Sequence, residues 1–174
     1  MIDTPRLFLR LPELADAEAF LVIHQDPEVL ALKHVTLTEP PGGVDVAVRN
    51  IDRMCRHWES RGYGQWAVVQ KTTGQVIGCV GFYHPDGWPG IDLGWILHRS
   101  QWGNGFSTEA SRAAIQWAWK NTQIDHIISL IAPDNVQSLR IATKIGQVFE
   151  RAEADPIHGE PVHVYGIRRP TSSA

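Results

Sequence analysis

The segment Trp102-Gly103-Asn104-Gly105-Phe106-Ser107-Thr108-Glu109-Ala110 connects an apolar run at residues 91–97 to a helical pattern that begins near Thr108. A strand, a glycine-rich turn and a helix start in this order can build an anion site. Glycines let the turn point its backbone N–H groups inward. The first turn of the helix adds unpaired N–H donors and the positive end of the helix dipole. The segment therefore predicts a pyrophosphate site and a phosphorylated cofactor.

Neither of two common phosphate loops matches this segment. A P-loop needs a Gly-Lys dipeptide, and the sequence contains none. A dinucleotide fingerprint needs a third glycine where Thr108 stands, and the acid expected about 20 residues on would be Asp125, at no clear strand end. Alone, the pair Gly103 and Gly105 fits an ordinary turn equally well. The identity of the cofactor must therefore come from the rest of the chain.

The composition is that of a globular protein with one core. The chain has 174 residues, 43% apolar residues, 20% charged residues and a net charge of −3. We expect one domain at residues 1–169 and a flexible tail at 170–174. The charge disfavours nucleic-acid binding, and no signal peptide or membrane span is visible, so we expect a cytoplasmic monomer or homodimer without a membrane partner. Cys55 and Cys79 lie in apolar patterns and imply no disulfide framework.

Alternation and helical spacing predict a mixed α/β (α+β) sheet, neither a barrel nor a doubly wound fold. Residues 34–43 are predicted to form a loop, and Asp134 is predicted to cap the last helix with Gln137 completing a capping box. The crossover from 91–97 to 126–131 predicts one parallel strand pair. Strands are expected at 6–11, 65–70, 75–83, 91–97, 126–131, 147–154 and 161–168, and helices at 14–23, 27–33, 44–61, from 108 onward and up to 144.

Four segments in this order resemble the GNAT superfamily of acetyl-CoA-dependent N-acetyltransferases, in particular its RimJ/RimL branch. They are Thr4-Pro5-Arg6-Leu7-Phe8-Leu9-Arg10; Thr73-Gly74-Gln75-Val76-Ile77-Gly78; Leu93-Gly94-Trp95-Ile96-Leu97 with the glycine segment; and Asn135-Val136-Gln137-Ser138 with Lys144-Ile145-Gly146. The resemblance covers nearly the whole chain. Trp102, Ser107 and Gln147 depart from the usual superfamily pattern, and the first two leave backbone N–H donation intact.

The resemblance implies a mostly antiparallel sheet with a central parallel strand pair flanked by helices. It implies that the pyrophosphate of acetyl-CoA lies on the loop N–H groups, and that the pantetheine pairs like an extra strand with residues 96–98. The cofactor-binding residues implied in this way are Ile96, Leu97, His98, Trp102, Gly103, Asn104, Gly105, Phe106, Ser107, Asn135 and Ser138. Arg99, Arg140 and Lys144 either neutralise phosphates or are ordinary surface charges.

Asp92 is the candidate general base for accepting a proton from the amine. Strand alternation places it on one face with Gly94 and Ile96, next to the position where the resemblance puts the thioester. The alternative is an aspartate that only begins the strand, with a water chain accepting the proton. Glu153, Asp155 and His84 are further candidates.

Ser138 and Asn135 are the candidates for stabilising the departing thiolate, a role that the resemblance places on the second cofactor helix. They are three residues apart and share a face near the helix start. Alternatively, Asn135 caps the helix and Ser138 is a solvated position.

The acceptor is expected to be a primary amine: a protein N-terminus, an amino sugar, a polyamine or another small amine. Residues 27–62 should shape its pocket, with Lys33, His34 and Trp58 as candidates, and Tyr165 could line it or pack in the core. The histidines show no metal-ligand spacing, so no metal is expected. The alternative function is a non-catalytic acyl-CoA-binding regulatory domain on the same fold.

Overall fold

The computed structural model describes residues 1–32 and 42–171. Most of the predicted loop at 34–43, the acceptor candidates Lys33 and His34, and the end of the predicted tail fall outside this part of the chain. None of the described helices has the length and apolar content needed to cross a bilayer.

The described residues form one eight-stranded sheet in the order β1-β2-β3-β4-β5-β6-β8-β7. Neighbouring strands are antiparallel except β5 and β6, which are parallel. The predicted fold class, including its central parallel pair, is confirmed. The strands are β1 Ile2–Asp3, β2 Leu7–Arg10, β3 Gln65–Gln70, β4 Val76–Tyr83, β5 Asp92–Leu97, β6 His126–Ile131, β7 Val148–Ala154 and β8 Pro161–Arg168.

Helices cover both faces of the sheet. On one face, α4 places Ala110, Ala114 and Ala118 against the core strands; all three are fully buried, and their small side chains let the helix lie close to the sheet. On the other face, α1 and α3 pack over a second apolar cluster that includes Cys79 and Ile96. The helices are α1 Ala17–Gln25, α2 Pro27–Ala31, α3 Val44–Arg61, α4 Phe106–Asn121 and α5 Val136–Lys144.

Two differences from the predicted elements, an extra strand and an earlier helix start, arise because the backbone, not side-chain periodicity, decides them. β1 has only two residues, too few to produce an alternating pattern. α4 begins at Phe106, two residues before the predicted start, because Gly105 takes the left-handed conformation (φ 78°) as its N-cap.

The predicted cap of α5 is wrong by one residue. Asn135, not Asp134, is the N-cap, and its side-chain oxygen accepts the N–H of Ser138 at 3.0 Å. Asp134 is exposed. Both residue types cap well, so the sequence could not separate them; the buried position of Asn135 decides which side chain reaches the helix start.

β5 and β6 pair at one register position, Asp92 opposite Ile128, and then separate. Side chains replace the next ladder bonds. The Ser129 hydroxyl donates to the Leu93 carbonyl at 2.7 Å, and the Leu130 N–H donates to the Asp92 carboxylate at 3.2 Å. Within residues 1–32 and 42–171, the following part of β5 therefore has no strand neighbour on that side, and the candidate site lies there.

We predict that Ser129→Ala destabilises the protein by about 1–3 kcal/mol, because the buried Leu93 carbonyl loses its donor. Ser111→Ala is the matched control, since the Ser111 hydroxyl is fully buried and has no hydrogen-bond partner in the described part of the chain. It should leave the free energy of unfolding unchanged or raise it by up to about 1 kcal/mol. Urea denaturation measures both; equal losses would contradict this account of the strand separation.

Candidate active site

The glycine loop and the start of α4 present a cluster of backbone N–H groups. Gly103 and Gly105 both have φ 78°, a left-handed conformation that favours glycine. The first helical hydrogen bond runs from Glu109 N–H to the Gly105 carbonyl at 3.0 Å, so the preceding N–H groups have no intrahelical acceptor. Together with the helix dipole they form an anion cradle.

The N-terminal segment holds this loop through the Glu109 carboxylate. Glu109 accepts hydrogen bonds from the Thr4 hydroxyl at 2.7 Å, from the Arg6 N–H at 2.9 Å and from the Arg6 guanidinium at 2.6 Å. Arg6 also donates to the Asn104 carbonyl at 2.9 Å and lies over the Phe106 ring. Burial alone would raise the pKa of Glu109, but these hydrogen bonds lower it, so the carboxylate stays charged. No local pattern could predict contacts between residues about a hundred positions apart.

A cavity of about 370 Å³ opens between the loop, the end of β5 and the start of α5. His98 and Asn104 do not line it: His98 N–H donates to Ile77, and the Asn104 side chain faces the loop carbonyls of Gln101 and Trp102. The predicted cofactor residues that do line it are Ile96, Leu97, Trp102, Gly103, Gly105, Phe106, Ser107, Asn135 and Ser138.

The backbone groups that face the strand separation are those of alternate β5 residues. The Leu93 carbonyl bonds across to Ser129, so Trp95 and Leu97, two and four residues on, point the same way. The Leu97 carbonyl accepts the Trp102 indole N–H at 3.0 Å. The N–H groups of Trp95 and Leu97 and the Trp95 carbonyl thus face the cavity. Trp95 was missing from the predicted cofactor set, although strand alternation could have indicated it.

Ser138 faces β5 from the first turn of α5. Its hydroxyl oxygen accepts the indole N–H of Trp95 at 3.2 Å, which leaves the hydroxyl hydrogen free to donate. Asn135, besides capping α5, donates its side-chain amide to the Leu32 carbonyl at 3.2 Å. The contacts of Asn135 therefore position the helix start and α2, whereas Ser138 presents a donor to the cavity.

Asp92 lies at the opposite, inner end of the separation. Its side chain is 4% exposed and lines a second cavity of about 80 Å³. This inner cavity shares Trp95, Ile96 and Ser138 with the larger one. Burial raises the pKa of Asp92 from 3.8 to about 7, against the opposing effects of the Leu130 N–H and the Trp88 indole. The carboxylate can therefore exchange a proton near neutral pH.

The other base candidates have structural contacts away from both cavities. Burial would raise the pKa of Asp155, but backbone N–H groups of the β7–β8 turn lower it. Glu153 pairs with Arg151 at 2.7 Å. His84 contacts the Tyr63 hydroxyl at 3.3 Å, and burial lowers its pKa.

Two acceptor candidates also lie elsewhere. Trp58 packs against Trp66 and Trp117 in the core, at ring distances of 4.9 and 5.4 Å. Tyr165 contacts the exposed Phe149 on β7. Neither residue lines one of the two cavities. The sequence does not distinguish the two positions, because an aromatic residue in an apolar pattern is as compatible with packing as with a pocket.

The larger cavity suits an elongated, anionic ligand. Loop N–H groups lie at one end, free strand N–H groups line its middle, and Arg140 and Lys144 of α5 lie along its wall. Arg99 instead pairs with Asp26 at 3.4 Å. A phosphate ester followed by an amide chain, as in coenzyme A, matches these donors. The described residues contain no cluster of side chains that could hold a metal ion.

Comparisons with known proteins agree with this geometry. Residues 6–148 match the profile of the acetyltransferase (GNAT) domain. The chain is 30% identical over 144 residues to p20 of Bacillus licheniformis, named an uncharacterized N-acetyltransferase, with 82% of this chain and 79% of p20 covered.

Two solved structures extend the likeness. An acetyltransferase from Agrobacterium tumefaciens superposes with a TM-score of 0.80 at 25% identity, covering 97% of this chain and 94% of that one. RimL, a ribosomal L7/L12 alpha-N-protein acetyltransferase solved with coenzyme A, superposes with a TM-score of 0.79 at 16% identity, covering 95% of each chain. The second shares the fold. On the family match and the relative, this chain belongs to the GNAT family and is an acetyl-CoA-dependent N-acetyltransferase.

Proposed function

We propose that this protein transfers the acetyl group of acetyl-CoA directly to a primary amine, with the two substrates meeting at β5. The observation that carries the proposal is the strand separation, which has an anion cradle at its outer end and a buried carboxylate at its inner end. The sequence resemblance to the RimJ/RimL branch favours a protein N-terminus or a small amine as acceptor.

The donor side of the site consists of backbone and helix groups. In this proposal the N–H groups of residues 103–107 hold the pyrophosphate, and Arg140 and Lys144 add positive charge. Acetyl-CoA supplies a thioester-activated acetyl group. The free N–H groups of Trp95 and Leu97 hold the ligand along β5, and one of them polarises the acetyl carbonyl as an oxyanion donor.

Ser138 stabilises the leaving thiolate. Its oxygen accepts the Trp95 indole N–H, and no described residue accepts its hydroxyl hydrogen, which can therefore be donated to the thiolate. Asn135 acts through Ser138 by fixing the start of α5. We therefore assign the donor role to Ser138 and a positioning role to Asn135.

Asp92 accepts the proton from the amine. A base with a pKa of about 7 is about half ionised at neutral pH, and it is basic enough to take a proton as the amine attacks. An α-amino group, with an ordinary pKa of about 8, needs less help from such a base than a lysine amine at about 10.4.

Gly103→Asp tests the anion cradle. Gly103 and Gly74 have similar left-handed φ values, 78° and 69°, and a Cβ would meet nothing within 4 Å at either site. Gly103 lines the cavity, whereas Gly74 lies in the β3–β4 turn. Gly103→Asp should weaken acetyl-CoA binding by roughly a hundredfold, because a carboxylate faces the pyrophosphate, and Gly74→Asp should not.

Isothermal titration with acetyl-CoA measures both affinities. Because the two substitutions cost similar backbone strain, a loss of affinity confined to Gly103→Asp places its cause in the cradle and not in backbone strain. Equal affinities in the two variants would refute the cradle.

Thiol release from acetyl-CoA in the presence of amines tests transfer. We expect turnover with at least one class among peptide N-termini, amino sugars and polyamines. Mass spectrometry should find a mass increase of about 42 Da on the acceptor nitrogen, the change when an acetyl group replaces a hydrogen. The acetylated product should amount to roughly one equivalent per thiol released. Tight binding of acetyl-CoA without turnover on all three classes would instead favour the non-catalytic regulatory domain.

Asp92→Asn tests the buried carboxylate through stability. The folded state binds the Asp92 proton more tightly than the unfolded chain, since the pKa rises from 3.8 to about 7. The wild type should therefore lose stability relative to Asp92→Asn as pH rises from about 4 to 7, by roughly 4 kcal/mol at most. Urea denaturation at several pH values measures the difference, with the exposed Asp134→Asn as a surface-charge control. A difference that does not vary with pH would contradict the raised pKa.

A further inference from the structure

The side chain of Gln65 reaches across the sheet toward the inner cavity. Gln65 on β3 lies opposite Gly81 on β4, and Gly81 lies opposite Gly94 on β5. All three share the face that carries Asp92. A Cβ built at Gly94 would lie 4.0 Å from the Gln65 amide nitrogen. The carboxamide thus extends over Gly81 and then Gly94, two neighbours across the sheet that have no side chain.

The two glycines keep this passage open for different reasons. At Gly81 a Cβ would lie 2.4 Å from the Gly64 carbonyl oxygen, so the backbone itself excludes a side chain there. At Gly94 the one described atom within 4 Å of such a Cβ would be the Gln65 amide nitrogen, at 4.0 Å. Backbone packing therefore does not require glycine at Gly94, and its missing side chain leaves the floor of the inner cavity free.

The Gln65 carboxamide has no hydrogen-bond partner among the described residues, although it lines a cavity. Its backbone carbonyl, in contrast, accepts the Trp58 indole N–H. A half-buried amide that is free on both its donor and its acceptor side is available to a ligand.

The charge of the inner cavity limits what that ligand is. Among its described lining residues, Asp92 is the one ionisable side chain. An acceptor with several ammonium groups would find no second carboxylate there. Gln65 instead offers a neutral donor and a neutral acceptor. It lies in the same cross-strand row as Gly94, which is two residues, or about 7 Å, along β5 from Asp92.

We propose that Gln65 binds the amine acceptor and selects amines with a carbonyl group on the adjacent carbon, as in an α-aminoacyl group. The amine lies over Gly94 facing Asp92, and the neighbouring carbonyl oxygen accepts a hydrogen bond from the Gln65 amide. The attacking nitrogen uses its lone pair for the acetyl group, so it offers no acceptor to that donor. This inference rests on the proposed function.

The test compares Gln65→Leu and Gln65→Met with wild type on two acceptors, an amino-acid amide and an alkylamine of the same length without the carbonyl. Both variants lose the amide donor without adding a charge, and Gln65→Met keeps the approximate length of the side chain. Each should lower kcat/KM for the amino-acid amide roughly fivefold to tenfold and change that for the alkylamine less than twofold. Because each acceptor is compared with itself across the proteins, the difference between the two amines in pKa cancels.

The KM for acetyl-CoA should stay unchanged in both variants, which separates acceptor binding from a general structural defect. Gln75→Leu, at an exposed position of the β3–β4 turn, is the matched control and should behave as wild type. Equal losses on both acceptors, or no loss on the amino-acid amide, would overturn the role of Gln65 while leaving acetyl transfer intact. A wild-type protein that acetylates neither acceptor but turns over another class of amine would overturn this inference alone, whereas a protein without turnover on any amine would contradict the proposed function as well.

Discussion

The interruption of the sheet between β5 and β6 is the constraint on which the site depends. A parallel pair that continued past Asp92 and Ile128 would use the N–H groups of Trp95 and Leu97 in its own ladder. Instead, the Ser129 hydroxyl and the Asp92 carboxylate complete the last cross-strand bonds. The buried groups where the separation begins are therefore hydrogen-bonded. The remaining N–H and C=O groups on that side of β5 are available to a ligand.

The same interruption explains the unusual state of Asp92. The Asp92 carboxylate that ends the ladder is buried, and the Leu130 N–H and the Trp88 indole do not compensate for its desolvation, so its pKa rises to about 7. The end of the β5–β6 pairing thus produces a carboxylate, that of Asp92, which is able to take part in proton transfer. The sequence left open whether Asp92 only begins the strand or acts as a base. The two roles are compatible, because its position at the end of the strand pairing buries the carboxylate and so raises its pKa.

The sequence predicted contiguous features well. Alternation predicted β6 and β8 with correct boundaries, and helical spacing predicted α3 up to its left-handed cap at Gly62. Features that depend on tertiary contacts were missed or misplaced. The cap of α5 is set by the burial of Asn135, and the glycine loop is held by Arg6, about a hundred residues away in the sequence, through Glu109 and the Asn104 carbonyl. Local patterns carry no signal for such choices.

This difference also separates the two halves of the site. The donor half consists largely of backbone groups in one continuous stretch, from β5 through the loop to α4, so its glycines and spacing are visible in the sequence. The proposed acceptor half, the inner cavity, is lined by residues of β3, β5, β6, the end of α2 and the start of α5. The roles proposed for Gln65 and Gly94 become visible only when the strand register brings the two residues together. A resemblance in sequence therefore identifies the acetyl donor, whereas the acceptor must be inferred from the register of the sheet.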